Sequence, residues 1–209
     1  ILGTLNLLEA VKQCNLTKSV VHICSSSEVF GKVKKKNIPI KEDNHYHPAS
    51  PYAISKVGVD LLGKHYAEAY RINTQITRMF THTGPRRSEF FAESTFAKQI
   101  ALIEEKKIPP IIHVGNLNSL RTICDVRDAV RAYWLLMNAN VNPGDYFNIA
   151  GEESFKLTEV VDILLSFSDI DIEVRVDTDR LRPIDADYQM FDNTKISSII
   201  DWKPEISAK

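Results

Sequence analysis

Tyr52 and Lys56 stand four residues apart in the run Ser50-Pro51-Tyr52-Ala53-Ile54-Ser55-Lys56, downstream of Ser25-Ser26-Ser27-Glu28-Val29-Phe30-Gly31. Positions i and i+4 of a helix share a face, so the Lys56 ammonium is expected beneath the Tyr52 ring and a bound ribose. A neighbouring cation favours the phenolate and makes the phenol usable as both acid and base. The hydroxyl of Ser26 or Ser27, delivered at the end of an apolar strand, would hydrogen-bond the same substrate oxygen. Three such groups around one carbonyl or alcohol point to hydride-transfer chemistry.

The elements that must position these groups are legible around them. Val20-Val21-His22-Ile23-Cys24 reads as a buried strand ending in hydroxyls, and Pro51 suits the first turn of a long helix. A helix to Gln13, a strand over 19–24, the Tyr52 helix to Tyr70 and a strand over 74–80 make a Rossmann-type alternation. Val59, Leu62, Tyr66 and Ala69 recur at helical spacing and should face the sheet, while Val57 and Leu61 fall on another side and anticipate a partner helix. From Arg86 the pattern changes. A helix over 91–106 is broken by Pro109-Pro110 before a short strand over 111–114. A capped helix over 125–137, a strand over 146–149, a helix over 156–165 and a strand over 172–176 follow.

The order strand, Ser-Ser-Ser-Glu-Val-Phe-Gly, acidic loop, Ser-Pro-Tyr-Ala-x-Ser-Lys resembles the extended short-chain dehydrogenase/reductase family, the NAD-dependent nucleotide-sugar epimerases and dehydratases. Arg78-Met79-Phe80-Thr81-His82-Thr83-Gly84-Pro85 is similar to that family's Arg-x-Phe-Asn-x-x-Gly-Pro segment, with Thr81 in place of Asn. Val114 to Arg121, Asp125 to Val130 and Arg180 to Asp185 resemble the GDP-mannose 4,6-dehydratase branch and its sister 4-keto-6-deoxy-mannose reductases. The implied fold is α/β: the C-terminal part of a Rossmann-type doubly wound parallel sheet plus a smaller α/β substrate-binding lobe. Residues 1–85 would be the remainder of an NAD(P)-binding domain and 86–209 mainly the nucleotide-sugar lobe, with segments around 126–170 returning to the Rossmann domain.

The resemblance selects Ser26 among the serines, places Phe30 where a tyrosine is usual, and implies Ser26, Glu28, Tyr52 and Lys56 as the catalytic set. Glu28 would remove the C5 proton in a dehydratase, whereas a reductase needs only Tyr52 as proton donor. Ser25, Tyr52, Lys56, Phe80 and His82 would bind NADP or NAD; Ser27, Thr81, Arg86, Asn116, Arg121, Arg182 and Asp185 would bind a nucleotide sugar, GDP-linked by analogy. Guanidinium groups suit a diphosphate because they donate paired, charge-assisted hydrogen bonds. The alternatives are a 4-keto-6-deoxy-sugar reductase, a UDP-sugar 4-epimerase, or a relative that binds nucleotide sugars without turnover. Relatives also suggest a homodimer or tetramer built on the Tyr52 helix and the one before it.

With 8 glycines, no Gly-x-Gly-x-x-Gly follows an early strand. The fingerprint that brings backbone amides to a pyrophosphate is therefore expected in about 80 or more preceding residues, together with the position that selects NAD or NADP. Lys+Arg 26 against Asp+Glu 27 leaves a net charge of -1, so no global field recruits nucleic acid or an anionic membrane, and phosphate binding must be local. No apolar run reaches the roughly 18 residues of a membrane span, and cytoplasm is the default expectation. Cys14, Cys24 and Cys124 have no metal-ligand spacing and read as buried thiols. Lys32 to Lys36 reads as a solvated loop, His45 and His47 lack a third convergent ligand for a metal, His82 reads as pocket-lining or packed, and Trp134 and Trp202 read as core or lid aromatics.

Overall fold

The computed structural model describes residues 1–181 and 188–208. In chain order, α1 (Leu2–Gln13), β1 (Val20–Cys24), α2 (Pro51–Tyr70) and β2 (Asn73–Met79) open the fold. They lead into β3 (His82–Thr83), α3 (Ala92–Glu104), β4 (Ile111–Val114), β5 (Leu120–Thr122) and β6 (Cys124–Asp125). The remainder is α4 (Val126–Met137), β7 (Asp145–Ile149), β8 (Ser154–Lys156), α5 (Leu157–Leu165), β9 (Glu173–Val176), β10 (Tyr188–Gln189) and α6 (Thr194–Ile199).

Three strands form a parallel sheet in the order β1-β2-β7. Strand alternation sends Val21, Ile23 and Ile76 to one face, where Leu8 and Val11 of α1 and Val59 and Tyr66 of α2 cover them. Met79, Phe147 and Ile149 serve the other face, under Ala129, Ala132 and Leu136 of α4 and Ile196 of α6. Helices on both faces are what a parallel sheet requires. Helix α2 starts sharply because Ser50 Oγ accepts from Ala53 N–H at 3.1 Å and Pro51 occupies the first turn. It stops at Arg71, whose φ of 57° closes it in the left-handed region.

The second lobe has its own core. Phe96, Ile100 and Ile103 of α3 pack on Ile112 and Val114 of β4 and on Val161 of α5, while β9 pairs with β4. A separate sheet, β10-β5-β8, touches the serine turn through Gln189, whose side-chain amide donates to Glu28 Oε1. The return to the first sheet is narrower than the segments around 126–170 expected from sequence. Helix α4 and β7 do return, but β8 pairs antiparallel with β5 and α5 packs in the α3 core. The C-terminal segment returns as well, through Ile196, Ile200 and Trp202.

Several expectations about individual residues are corrected. Ala69 is exposed, and Gly63 and Ala67 take the buried positions on α2, because positions 59, 63, 66 and 67 share one stripe of the helix and position 69 falls to its side. Cys14 and Cys24 are exposed and Cys124 alone is buried; the first follows the end of α1 and the second sits at the open edge of β1. Trp202 is core, with its indole N–H donating to Asp128 O at 3.1 Å, whereas Trp134 is 65% exposed on the outer face of α4.

Candidate active site

The carboxyl end of β1, the turn after it and the first two turns of α2 form the site. Ser25 extends β1 by donating its N–H to Thr77 O at 2.8 Å, and the chain then enters a one-turn 3-10 helix, Ser27–Phe30. Ser26 caps that turn: its Oγ accepts from Glu28 N–H at 3.2 Å. A hydroxyl has one proton and two acceptor sites, so this cap leaves the Ser26 proton for another oxygen. Val29 and Phe30 are fully buried and hold the turn against α2, the Phe30 ring lying 6.5 Å from Phe80. Gly31 ends the turn at φ 53°, where a Cβ would stand 1.8 Å from His47 O. Only glycine lets the following loop come this close.

Tyr52 is 53% exposed, and Lys56 lies one turn below it with Nζ 5.6 Å from the ring centroid. The Lys56 ammonium also donates to Cys24 O at 2.8 Å, which pins it to the end of β1. The i, i+4 spacing thus brings cation and phenol together as expected, while the strand carbonyl that fixes the lysine has no signal in sequence. Ser25, Ser26 and Ser27 are all buried, and Ser25 Oγ makes no hydrogen bond among the described residues. A buried hydroxyl beside an anchored ammonium and an accessible phenol fits the ribose and carboxamide of a nicotinamide dinucleotide, which is rich in hydrogen-bonding oxygens and nitrogens.

The layer beneath is polar and neutral. His22 meets Thr77 Oγ1 at 2.8 Å and its ring lies 4.6 Å from that of Tyr133; burial holds the imidazole below its usual range. Burial pushes the Tyr133 phenol up to about 12. Burial also raises the Cys24 thiol, against the opposing pull of Lys56.

Glu28 is half-buried and its Oε1 accepts from Gln189 Nε2 at 3.0 Å. This contact joins residues 161 positions apart. Sequence reading missed it because β10 has two residues, too few to show a period. Of the other expected site residues, Thr81 offers its carbonyl to Cys124 N–H at 2.9 Å, and His82 is exposed with Nδ1 3.2 Å from Phe80 O. Phe80 itself is 2% exposed, its ring packed in a cluster with Val29, Phe30 and Ile40. Ser27 is buried in the serine turn, and Arg86 is exposed at φ 71°.

Arg121 lies on β5 in register with Gln189, and its Nη1 donates to Leu120 O at 3.2 Å. Asn116 holds the loop before β5, accepting from Asn118 N–H at 3.0 Å and donating to Ser119 Oγ at 3.3 Å. Its side chain is engaged in its own turn. Arg182 and Asp185 lie outside the described residues. His45 and His47 are exposed, and among the described residues no three His, Cys, Asp or Glu side chains converge on a metal-sized site. Among those residues no helix is long and apolar enough to cross a membrane.

A family model described as GDP-mannose 4,6 dehydratase matches residues 1–209. The chain is 29% identical over 209 residues to a Pseudomonas aeruginosa protein named GDP-6-deoxy-D-mannose reductase, covering 100% of this chain and 68% of that one. It is 31% identical over 227 residues to the human GDP-mannose 4,6 dehydratase, covering 98% of this chain and 59% of the human protein. A solved structure described as RMD from Pseudomonas aeruginosa complexed with NADPH superposes with a TM-score of 0.91 at 28% identity, covering 99% of this chain and 68% of that one.

Proposed function

The chain belongs to the GDP-mannose 4,6-dehydratase family, and from that premise we propose that it carries the catalytic machinery of a nucleotide-sugar 4,6-dehydratase acting on a GDP-linked hexose. Glu28 supports this reading most directly. The serine turn that orients Ser26 also carries a half-buried carboxylate two residues on, at the mouth formed with the start of α2.

Ser25, Tyr52 and Lys56, with the Phe80 main chain and His82, would hold NADP or NAD. That group, when bound, supplies hydride acceptance from C4 and its return to C6. The protein's residues handle the protons. Ser26 donates a hydrogen bond to the C4 oxygen and keeps its proton, while Tyr52 takes the C4 hydroxyl proton as the alcohol becomes a ketone. The new ketone acidifies C5; Glu28 removes the C5 proton and passes it to the C6 hydroxyl, which departs as water. The proton held by Tyr52 returns to C5, so the sugar loses one water and gains no net hydride. Ser27, Thr81, Arg86, Asn116 and Arg121, with Arg182 and Asp185, would hold the nucleotide sugar.

A second reading, a 4-keto-6-deoxy-sugar reductase, is favoured by the likeness to the Pseudomonas aeruginosa reductase along the whole chain. Tyr52 would then protonate the C4 oxygen and Glu28 would be idle. The same proposal places the protein in the cytoplasm as a homodimer or tetramer, with Leu2, Leu7, Ile54 and Leu61, exposed on α1 and α2, supplying the contact. Mass spectrometry of products formed from GDP-mannose and oxidised cofactor by the protein carrying this chain tests the dehydratase. Loss of one water without net cofactor reduction is expected. An unchanged substrate, with reduced cofactor consumed on a 4-keto-6-deoxy sugar, would replace it by the reductase.

A further inference from the structure

The proposed C5 base is held from the far lobe by one amide. Gln189 is 4% exposed, and its backbone is fixed on two sides. Strand β10 pairs in parallel with β5, where Gln189 O accepts from Thr122 Oγ1 at 2.9 Å. The next residue, Met190, gives its carbonyl to Ile40 N–H at 2.9 Å, and Asp192 N–H donates back to Ile40 O at 3.1 Å. From this double anchorage the Gln189 amide reaches Glu28 Oε1 at 3.0 Å. The acceptor is equally constrained, since Glu28 N–H is tied to Ser26 Oγ.

We infer that Gln189 is the positioning residue for Glu28, fixing one carboxylate oxygen so that Oε2 is presented to the substrate proton. The inference rests on the reading of Glu28 as the C5 base. The chemistry suits the task. A carboxylate needs a donor to fix its rotation, and a primary amide supplies one without competing for the proton that the base must collect. A lysine or arginine there would oppose protonation of Glu28 during the reaction, because a close cation favours the ionised acid. The contact also makes the base contingent on β10 being docked: the serine turn alone would leave Glu28 free to rotate toward solvent. Among the described residues, no other side chain hydrogen-bonds the Glu28 carboxylate.

Two shape-preserving substitutions separate positioning from packing. Gln189→Met removes the donor and keeps the length, and Gln189→Glu sets a second carboxylate against Glu28. Small misplacements of a catalytic group reach about 100-fold in rate. Steady-state dehydration by the protein carrying this chain should therefore show kcat falling about 10- to 100-fold in Gln189→Met, further in Gln189→Glu, with KM within about twofold. Gln189→Met should add no further loss in a Glu28→Asp background, where the shorter acid no longer reaches the amide, because residues acting as one unit are non-additive. A wild-type kcat in Gln189→Met, or an equal loss in both backgrounds, would overturn the positioning role. Full dehydration by Glu28→Gln would instead overturn the assignment of the base itself, so the two failures are distinct.

Discussion

Replacing Arg78 by Met should be among the most damaging single changes in the fold, although the residue touches none of the reacting groups. Arg78 and Asp60 side chains are each 1% exposed and meet at 2.8 Å. Arg78 also donates to Glu42 O at 2.7 Å and to Tyr46 Oη at 2.6 Å, and its guanidinium lies 4.1 Å from the Tyr146 ring centroid. Burial pushes the Tyr46 phenol up to about 12, so it remains a donor, and it donates to Asp60 at 3.2 Å. Removing the guanidinium strands the Asp60 carboxylate, whose Oδ1 already has no hydrogen-bond partner among the described residues. Breaking a buried pair from one side costs about 3–5 kcal/mol, a large share of the roughly 5–15 kcal/mol that stabilises a domain. With a urea slope of about 2 kcal/mol per M, the unfolding midpoint of the protein carrying this chain should fall by about 1.5–2.5 M. Adding Asp60→Leu should recover part of that loss, since the uncompensated charge is gone. A midpoint shift under about 0.5 M in Arg78→Met, or a double variant worse than the sum of the singles, would refute the reasoning.

Tyr52→Phe should lower turnover by about 100- to 10,000-fold while nucleotide-sugar affinity, read by calorimetry, stays within a few-fold; comparable turnover would remove Tyr52 from proton transfer. Glu42 is held above the ordinary 4.5 by burial, against the Asn148 N–H it accepts at 2.9 Å. A raised folded-state value means that its contribution is present below the unfolded pKa and is lost as pH rises through the folded one. Glu42→Gln keeps the acceptor, so its urea midpoint should exceed wild type at pH 7 and the advantage should vanish on acidification below 4.5; an advantage independent of pH would count against the burial argument. Gly31→Ala must place a Cβ 1.8 Å from His47 O at a positive φ. It should lower stability by more than about 1–3 kcal/mol in thermal or urea unfolding, and a neutral effect would mean that the loop relaxes freely.

Much of the fold was legible because local rules govern it. The start of α2 at Ser50-Pro51 follows from a side-chain cap and a preset φ, and its residues 52 and 56 share a face whatever surrounds them. Strand β1 announced itself as a short apolar run between two helices. Interior accounting was less legible. Thr74, Gln75, Thr77 and Arg78 are all fully or nearly fully buried in β2, although a polar run of that kind reads as solvent-facing. Arg78 is admitted there only because Asp60, Tyr46 and the Glu42 carbonyl surround it, and these lie 18, 32 and 36 residues away. Strands β5, β8 and β10 were invisible for a related reason. Each has two or three residues and exists through pairing with a distant segment.

The sequence by itself determined which groups stand together on α2 and on the serine turn, because helix periodicity and capping act over four residues or fewer. Tertiary structure alone decided that Lys56 is tied to the Cys24 carbonyl, that the Phe80 ring packs against Val29, Phe30 and Ile40, and that Glu28 is met by an amide 161 residues downstream. Those contacts depend on how separately specified elements dock, and docking is set by whole surfaces fitting together rather than by any spacing along the chain.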